Sequence, residues 1–161
     1  MRRMGWAVTA AATVAVAIGG ARVIGADGQN DERGRSKRCS EATVRGDYGI
    51  QIQGTRPAPG VPGGPIESVI GIVLRTYDGE GNFSQVSNLK GSIAGANPDS
   101  QSFGTYEVNH DCTGIIRAQP LPGVVIEERM VIVDSGREIR AAVMVPTAVV
   151  ITSVHQRIHR R

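Results

Sequence analysis

The strongest constraint on the fold of this chain is a succession of short segments in which apolar and polar residues alternate, each closed by turn residues. Such segments are typical of β-strands. No convincing 3.6-residue period appears outside the N-terminal region. The predicted strands cover residues 47–56, 69–77, 82–90, 103–110, 115–119, 124–134, 137–145 and 148–158.

Eight antiparallel strands in sequence predict an all-β domain, with two arrangements open. The short connections favour an eight-stranded antiparallel up-and-down barrel, which leaves no open sheet edge. A two-sheet sandwich is the alternative. Asp-Gly at residues 78–79 and Ser-Gly at residues 135–136 indicate tight hairpins. The Pro/Gly-rich residues 57–65 predict an irregular loop, and residues 91–102 predict a wide loop with at most a short strand over 92–94.

The first 26 residues have the pattern of a secretory signal peptide. Two arginines are followed by an uncharged, Ala/Val-rich stretch and then by small residues. An uncleaved membrane anchor is the alternative, but Arg22 soon interrupts the apolar stretch, whereas a spanning helix needs about 20 apolar residues. We therefore predict a cleaved signal peptide over 1–26, a flexible linker over 27–38 and a single domain over 39–161.

Removal of the signal peptide would change the net charge of the chain. The signal segment carries three arginines and no acidic residue, so the mature chain holds 15 basic and 15 acidic side chains. A chain with no net charge gives no electrostatic reason to expect nucleic-acid binding. Its five Tyr and Phe residues cannot form the two aromatic girdles of an outer-membrane barrel. We expect a periplasmic or extracellular protein without stable membrane insertion.

The chain contains two cysteines, Cys39 and Cys112. In an oxidising compartment an even number of cysteines suggests a bridge. Cys39 precedes the first predicted strand and Cys112 follows a later one, so we predict a disulfide that ties the start of the domain to a distant turn. Two free thiols are the alternative. No metal site is predicted, because two thiolates need further ligands and no Cys-x-x-Cys or paired-histidine spacing is present.

Four motifs occur in order along the chain: GDYG from Gly46, TYDGEGNFS from Thr76, GTYEVNHDCTG from Gly104 and VIVDSGREI from Val131. Together they resemble a group of small exported bacterial proteins that are similar to the allene-oxide-cyclase-type, calycin-like β-barrel. The resemblance covers roughly residues 39–156. It implies a barrel, export and a turn cysteine bridged to one near the mature N-terminus. It implies no activity, because no catalytic residue of the plant cyclases can be placed here by motif.

One acidic pair interrupts an otherwise apolar strand, and a regular pleat turns either Glu127 or Glu128 inward. Glu128 shares its face with apolar residues. A carboxyl group inside a barrel can serve as a general acid or base, so Glu128 is the candidate catalytic residue. The alternative places it in water at the barrel mouth. Its candidate partners are Arg75, Arg129 and Arg140.

The three histidines of the chain do not indicate a second functional site. In the sequence His110-Asp111-Cys112, neighbouring side chains on a strand point to opposite faces, and an oxidised cysteine offers no thiolate. We interpret it as a turn in which Asp111 bonds to local backbone. His155 and His159 would lie about 13 Å apart on a strand, and we expect a surface role for them.

A small barrel either fills with side chains or holds one small ligand. We hypothesise a non-enzymatic binding or structural module with a small apolar ligand and no cofactor. The alternative is a cyclase or isomerase that folds an apolar substrate inside the barrel with Glu128 as polar anchor. The candidate ligand-lining residues, which would make the interior apolar, are Ile70, Ile72, Leu74, Met130, Ile132, Val143 and Val150.

Overall fold

A computed structural model describes residues 38–59 and 63–158. It confirms the all-β prediction: eight antiparallel strands close into an up-and-down barrel, each pairing with the next and the eighth pairing back with the first. The sandwich alternative is therefore wrong. The strands are β1 (Gly46–Pro57), β2 (Ile66–Tyr77), β3 (Asn82–Gly91), β4 (Gly95–Val108), β5 (Thr113–Leu121), β6 (Val124–Val133), β7 (Glu138–Val145) and β8 (Val150–Arg157).

Two short 3₁₀ turns complete the fold, at Glu41–Val44 before β1 and at Asp134–Gly136 between β6 and β7. The predicted signal peptide over 1–26 lies outside the described residues. So does the predicted linker, except for Arg38.

The wide loop predicted over residues 91–102 is wrong. β3 continues to Gly91, the chain turns within three residues, and β4 starts at Gly95. Glycine, asparagine and proline have low strand propensity, so the composition of residues 95–102 does not indicate a strand. A register shift in the β3–β4 pairing accommodates them, and there the Asn88 side chain accepts a hydrogen bond from the Asp99 amide at 3.1 Å.

The barrel has two unlike ends. At the disulfide end lie the start of β1, the end of β8 and the predicted Cys39–Cys112 bridge, which is confirmed with a Cα–Cα distance of 5.0 Å. The opposite end, called here the far end, carries the β1–β2 and β7–β8 loops and the β3–β4 and β5–β6 turns.

The first 3₁₀ turn closes the disulfide end. Its Val44 is fully buried. The Tyr106 hydroxyl donates to the Glu41 carbonyl at 3.2 Å, and the Val108 amide donates to the Glu41 carboxylate, also at 3.2 Å. Arg157, at the end of β8, donates to the Thr43 carbonyl at 2.7 Å. Residues 39–44 are thus hydrogen-bonded to β4 and β8 and bridged to Cys112.

Aromatic and aliphatic side chains fill the disulfide half of the barrel. The ring of Tyr77 packs edge-on against Tyr48 at 5.3 Å and against Tyr106 at 4.9 Å between centroids. Edge-to-face pairs of this kind add stability beyond the area that they bury. The other side chains of this half with at most 2 % exposure include Ile116, Met130 and Ile139.

Four of the residues predicted to line the interior lie on the outer face instead. Ile70, Ile72, Leu74 and Val150 are 61 %, 66 %, 43 % and 64 % exposed. β2 is apolar on both faces over much of its length, so its pattern did not define the inner one. The strand turns Arg75 and Tyr77 inward, and the pleat then sends Leu74 and its outer-face neighbours outward.

The other three residues predicted to line the interior are less exposed. Met130 and Ile132 are buried, at 2 % and 5 % exposure, and Val143 is half-buried. Two of the outward apolar residues of β2, Ile72 and Leu74, contribute instead to a groove of about 770 Å³, together with Val86, Val154 and Ile158.

Candidate functional site

A layer of polar side chains crosses the middle of the barrel, where an apolar interior was expected. We call it the polar layer. Its members come from β2, β3, β4, β6 and β8. They are Arg75, Tyr77, Gln85, Ser102, Glu128, Ser153 and His155.

Arg75 is the centre of this layer. Its guanidinium donates to Gln85 at 2.7 Å, to the Tyr77 hydroxyl at 3.1 Å and to Glu128 Oε1 at 3.4 Å. It also lies 4.3 Å from the centroid of the Phe83 ring, in a cation–π contact. A buried guanidinium is tolerated only with such partners, and here each of its nitrogen atoms has one.

Of the two neighbouring glutamates of β6, Glu128 is the one that points into the barrel, and its alternative place in water at the barrel mouth is wrong. Glu128 is 8 % exposed and pairs with Arg75 across the interior. The other two candidate partners lie elsewhere: Arg129 pairs with Glu127, and Arg140 pairs with Glu138.

His155 is fully buried, so the expected surface role is wrong. Its Nδ1 lies 3.2 Å from the Tyr77 hydroxyl and its Nε2 lies 2.9 Å from Ser153 Oγ. Burial, together with the nearby charge of Arg75, holds the pKa of His155 well below its usual value. The local sequence of β8 does not mark this position, because Tyr77, which contacts His155, lies on β2. His159 lies outside the described residues.

The phenol of Tyr77 is also neutral in this environment. Burial raises its pKa to about 12, and the Arg75 charge opposes that rise only in part. Tyr77 therefore keeps its proton at neutral pH. Because Arg75 can only donate, the Tyr77 hydroxyl accepts from Arg75 and is free to donate to Nδ1 of His155. His155 Nε2 then carries the ring proton and donates to Ser153.

The polar layer is not completely sealed from water. The Glu128 side chain is 11 % exposed although it points inward. Ser87, Ser102 and Ser153 are each 7 % exposed, whereas Tyr48 in the disulfide half is 0 % exposed. Beyond the layer, toward the far end, inward side chains of β2 such as Glu67 and Val69 are buried, each at 1 % exposure. Four other inward side chains are half-buried: Ile52, Ile126, Val143 and Ile151.

A second buried carboxylate fixes the far end. Glu67 accepts from the amides of Ile93 and Ala94 at 3.0 and 2.9 Å and from Arg56 at 2.9 Å. The hydrogen bond from Ala94 is the largest of several contacts that lower the pKa of Glu67. Glu67 thereby fastens the β3–β4 turn to β2, a contact between distant residues that no local pattern indicated.

The His110-Asp111-Cys112 sequence forms a turn, as interpreted. Asp111 Oδ1 accepts from the Thr113 amide at 3.0 Å, and Cys112 is oxidised. Over residues 38–59 and 63–158, no group of three or more His, Cys, Asp and Glu residues is placed to hold a metal ion.

Comparison of the chain with protein-family models, with curated proteins and with solved structures found no match. In the described part of the chain, no helix is both long and apolar enough to cross a membrane. The similarity of the motifs to the allene-oxide-cyclase-type barrel stays a prediction, because a closed eight-stranded shape is common to several kinds of protein.

Proposed function

We propose that this protein is an exported, non-enzymatic binding module that holds one small molecule in the far half of its barrel. The residual exposure of the inward-facing Glu128 carries the proposal, because a side chain inside a filled barrel has no such access. Export to the periplasm or the extracellular medium is supported by the disulfide, which persists in an oxidising compartment.

The surroundings of this space favour an amphipathic ligand rather than a purely apolar one. The polar layer forms the floor, while half-buried isoleucine and valine side chains form the wall: Ile52, Ile126, Val143 and Ile151. Binding sites for small molecules commonly combine an apolar lining with a few placed polar groups. The ligand would lay an apolar body along the wall and direct one polar group to the floor.

A binding role is favoured over a cyclase or isomerase by the position of the ionisable groups. Tyr77 and His155 are 1 % and 0 % exposed and lie out of reach of a ligand in the far half. Glu128 alone reaches the space, and it already pairs with Arg75. Acid–base catalysis needs a group within hydrogen-bond reach that can exchange its proton with the substrate.

Native mass spectrometry of the protein purified from its own periplasm or medium tests the proposal. We expect the oxidised chain to retain one molecule. Val143→Phe, which fills the far half, should lose it, and the matched outer-face control Val154→Phe should keep it. A wild-type protein without a retained molecule, or retention in a folded Val143→Phe protein, would contradict the proposal. Ile151→Phe serves where Val143→Phe does not fold.

A further inference from the structure

Glu128 has one carboxylate oxygen without a partner in the described part of the chain. Its Oε1 accepts from Arg75, and this is the only hydrogen bond or ion pair that Glu128 makes. Every fully buried side-chain nitrogen or oxygen there has a hydrogen-bond partner. Oε2 is therefore not fully buried, and it is an unused acceptor on a side chain that points into the barrel.

The hydroxyl of Ser102 offers the complementary group. Ser102 Oγ accepts from Gln85 at 3.0 Å, and this bond leaves its own proton without an acceptor. Ser102 is 7 % exposed, which places it on the same accessible layer as Glu128. The floor of the space thus presents a free acceptor and a free donor.

Charge in the layer is already balanced. Arg75 and Glu128 form one ion pair, and the other members, His155 and Tyr77 included, are neutral. A ligand carboxylate would place a second anion beside Glu128, and a ligand ammonium would place a second cation near Arg75. An extra buried charge without its own partner is costly.

We infer that the ligand is a neutral alcohol whose hydroxyl donates to Oε2 of Glu128. An alcohol hydroxyl is both donor and acceptor, so it also suits the proton of Ser102. This inference rests on the binding function proposed above and adds the chemistry of the ligand's polar group.

Binding of four probes with the same octyl chain tests the inference: 1-octanol, octyl methyl ether, octanoate and octylammonium. Titration calorimetry of the oxidised protein should give 1-octanol an affinity about tenfold above that of the ether, which lacks the donor, and above that of both ions. A site that pairs with a hydroxyl discriminates strongly against an analogue without it.

Variants show whether Glu128 causes the preference. The double variant Arg75→Met with Glu128→Leu removes both charges together, which avoids an unpaired buried ion. It should bind 1-octanol and the ether equally. Glu128→Gln keeps an oxygen for Arg75 but replaces the free acceptor by an amide donor, so it should lower the preference and gives a reading where the double variant does not fold. Glu127→Gln, outside the barrel, should leave the ratio unchanged.

Each other outcome overturns the inference. Equal binding of alcohol and ether, or tightest binding of octanoate or octylammonium, would refute it while leaving the proposed binding function intact. Absence of binding by all four probes, or a retained natural molecule without a hydroxyl, would refute it too. The proposed function itself fails if the native protein retains no molecule or if a folded Val143→Phe protein still retains it.

Discussion

Tyr77 joins the two halves of the barrel through a single hydroxyl. The ring belongs to the packed aromatic cluster, with Tyr48 and Tyr106 at its edges. The hydroxyl bonds to Arg75 and His155 in the polar layer. The polar layer is therefore held in place by the same residue that completes the core.

Tyr77→Phe should destabilise the protein by about 1–3 kcal/mol, because it leaves a buried Arg75 donor and the Nδ1 of His155 without their partner. Equilibrium unfolding in urea measures this loss as a lower midpoint at an unchanged slope. Tyr106→Phe is a comparison in which the lost bonds go to backbone groups. A change below about 0.5 kcal/mol for Tyr77→Phe would show that the layer does not depend on its hydroxyl.

His155 should make stability fall on the acid side of neutrality. Its pKa is lowered in the folded protein, so its contribution is complete above the ordinary value of 6.5 and declines as the pH falls below it, since only the unfolded chain takes up the proton. The loss approaches about 1.4 kcal/mol per pH unit. Unfolding free energies at pH 7 and pH 5 should differ more for the wild type than for His155→Gln.

Thr152, an exposed and non-ionising neighbour on β8, provides the control for this measurement. Thr152→Val should retain the pH dependence of the wild type. An equal dependence in the wild type and in His155→Gln would show that the buried imidazole is not its source.

At the scale of strands, the local pattern of the sequence predicts position well and orientation less well. The bounds of β1 and β6 follow from alternation and turn residues, which are local properties. The pleat of β6 requires one of Glu127 and Glu128 to point inward, and the structure shows that it is Glu128. The inward face of β2 does not follow from its pattern, because both of its faces are apolar until Arg75. What decides it is the partners of Arg75 on β3 and β6, which no local pattern contains.

The same limit explains the candidate site. Glu128 was found because a charge interrupts an apolar strand. His155 was missed because its burial depends on Tyr77, 78 positions away in the sequence. The first half of β4 was missed because its pairing with β3, rather than its own composition, makes it a strand.

Neighbouring residues of β2 provide a direct test of its orientation. Val73→Thr should cost about 1–3 kcal/mol, because it buries a hydroxyl on the inner face. Ile72→Thr should change the free energy of unfolding by no more than about 0.5 kcal/mol, because Ile72 is 66 % exposed. Threonine keeps the β-branched shape in both variants, so strand propensity is matched. The reverse ranking would mean that β2 turns its other face inward.

At the scale of the whole molecule, the two halves of the barrel differ in how completely their inward side chains are buried. The disulfide, the first 3₁₀ turn and the aromatic cluster all lie in the disulfide half. In the far half, Glu67 and Val69 of β2 are buried, but inward side chains of β1, β6, β7 and β8 are half-buried. This division suits a binding module, since rigidity is supplied at one end and access at the other.

The disulfide should therefore contribute strongly to stability without affecting the ligand preference of the polar layer. The two cysteines are 73 residues apart, and in the chain-entropy model a loop of that length contributes about 4 kcal/mol. That is a large part of the 5–15 kcal/mol typical of a domain. Cys39→Ser with Cys112→Ser should lower the free energy of unfolding by about this amount in urea. Under conditions where the variant is still folded, its preference for 1-octanol over octyl methyl ether should equal that of the wild type, because neither cysteine belongs to the polar layer. A loss of that preference in the folded variant would instead mean that the disulfide end positions Glu128.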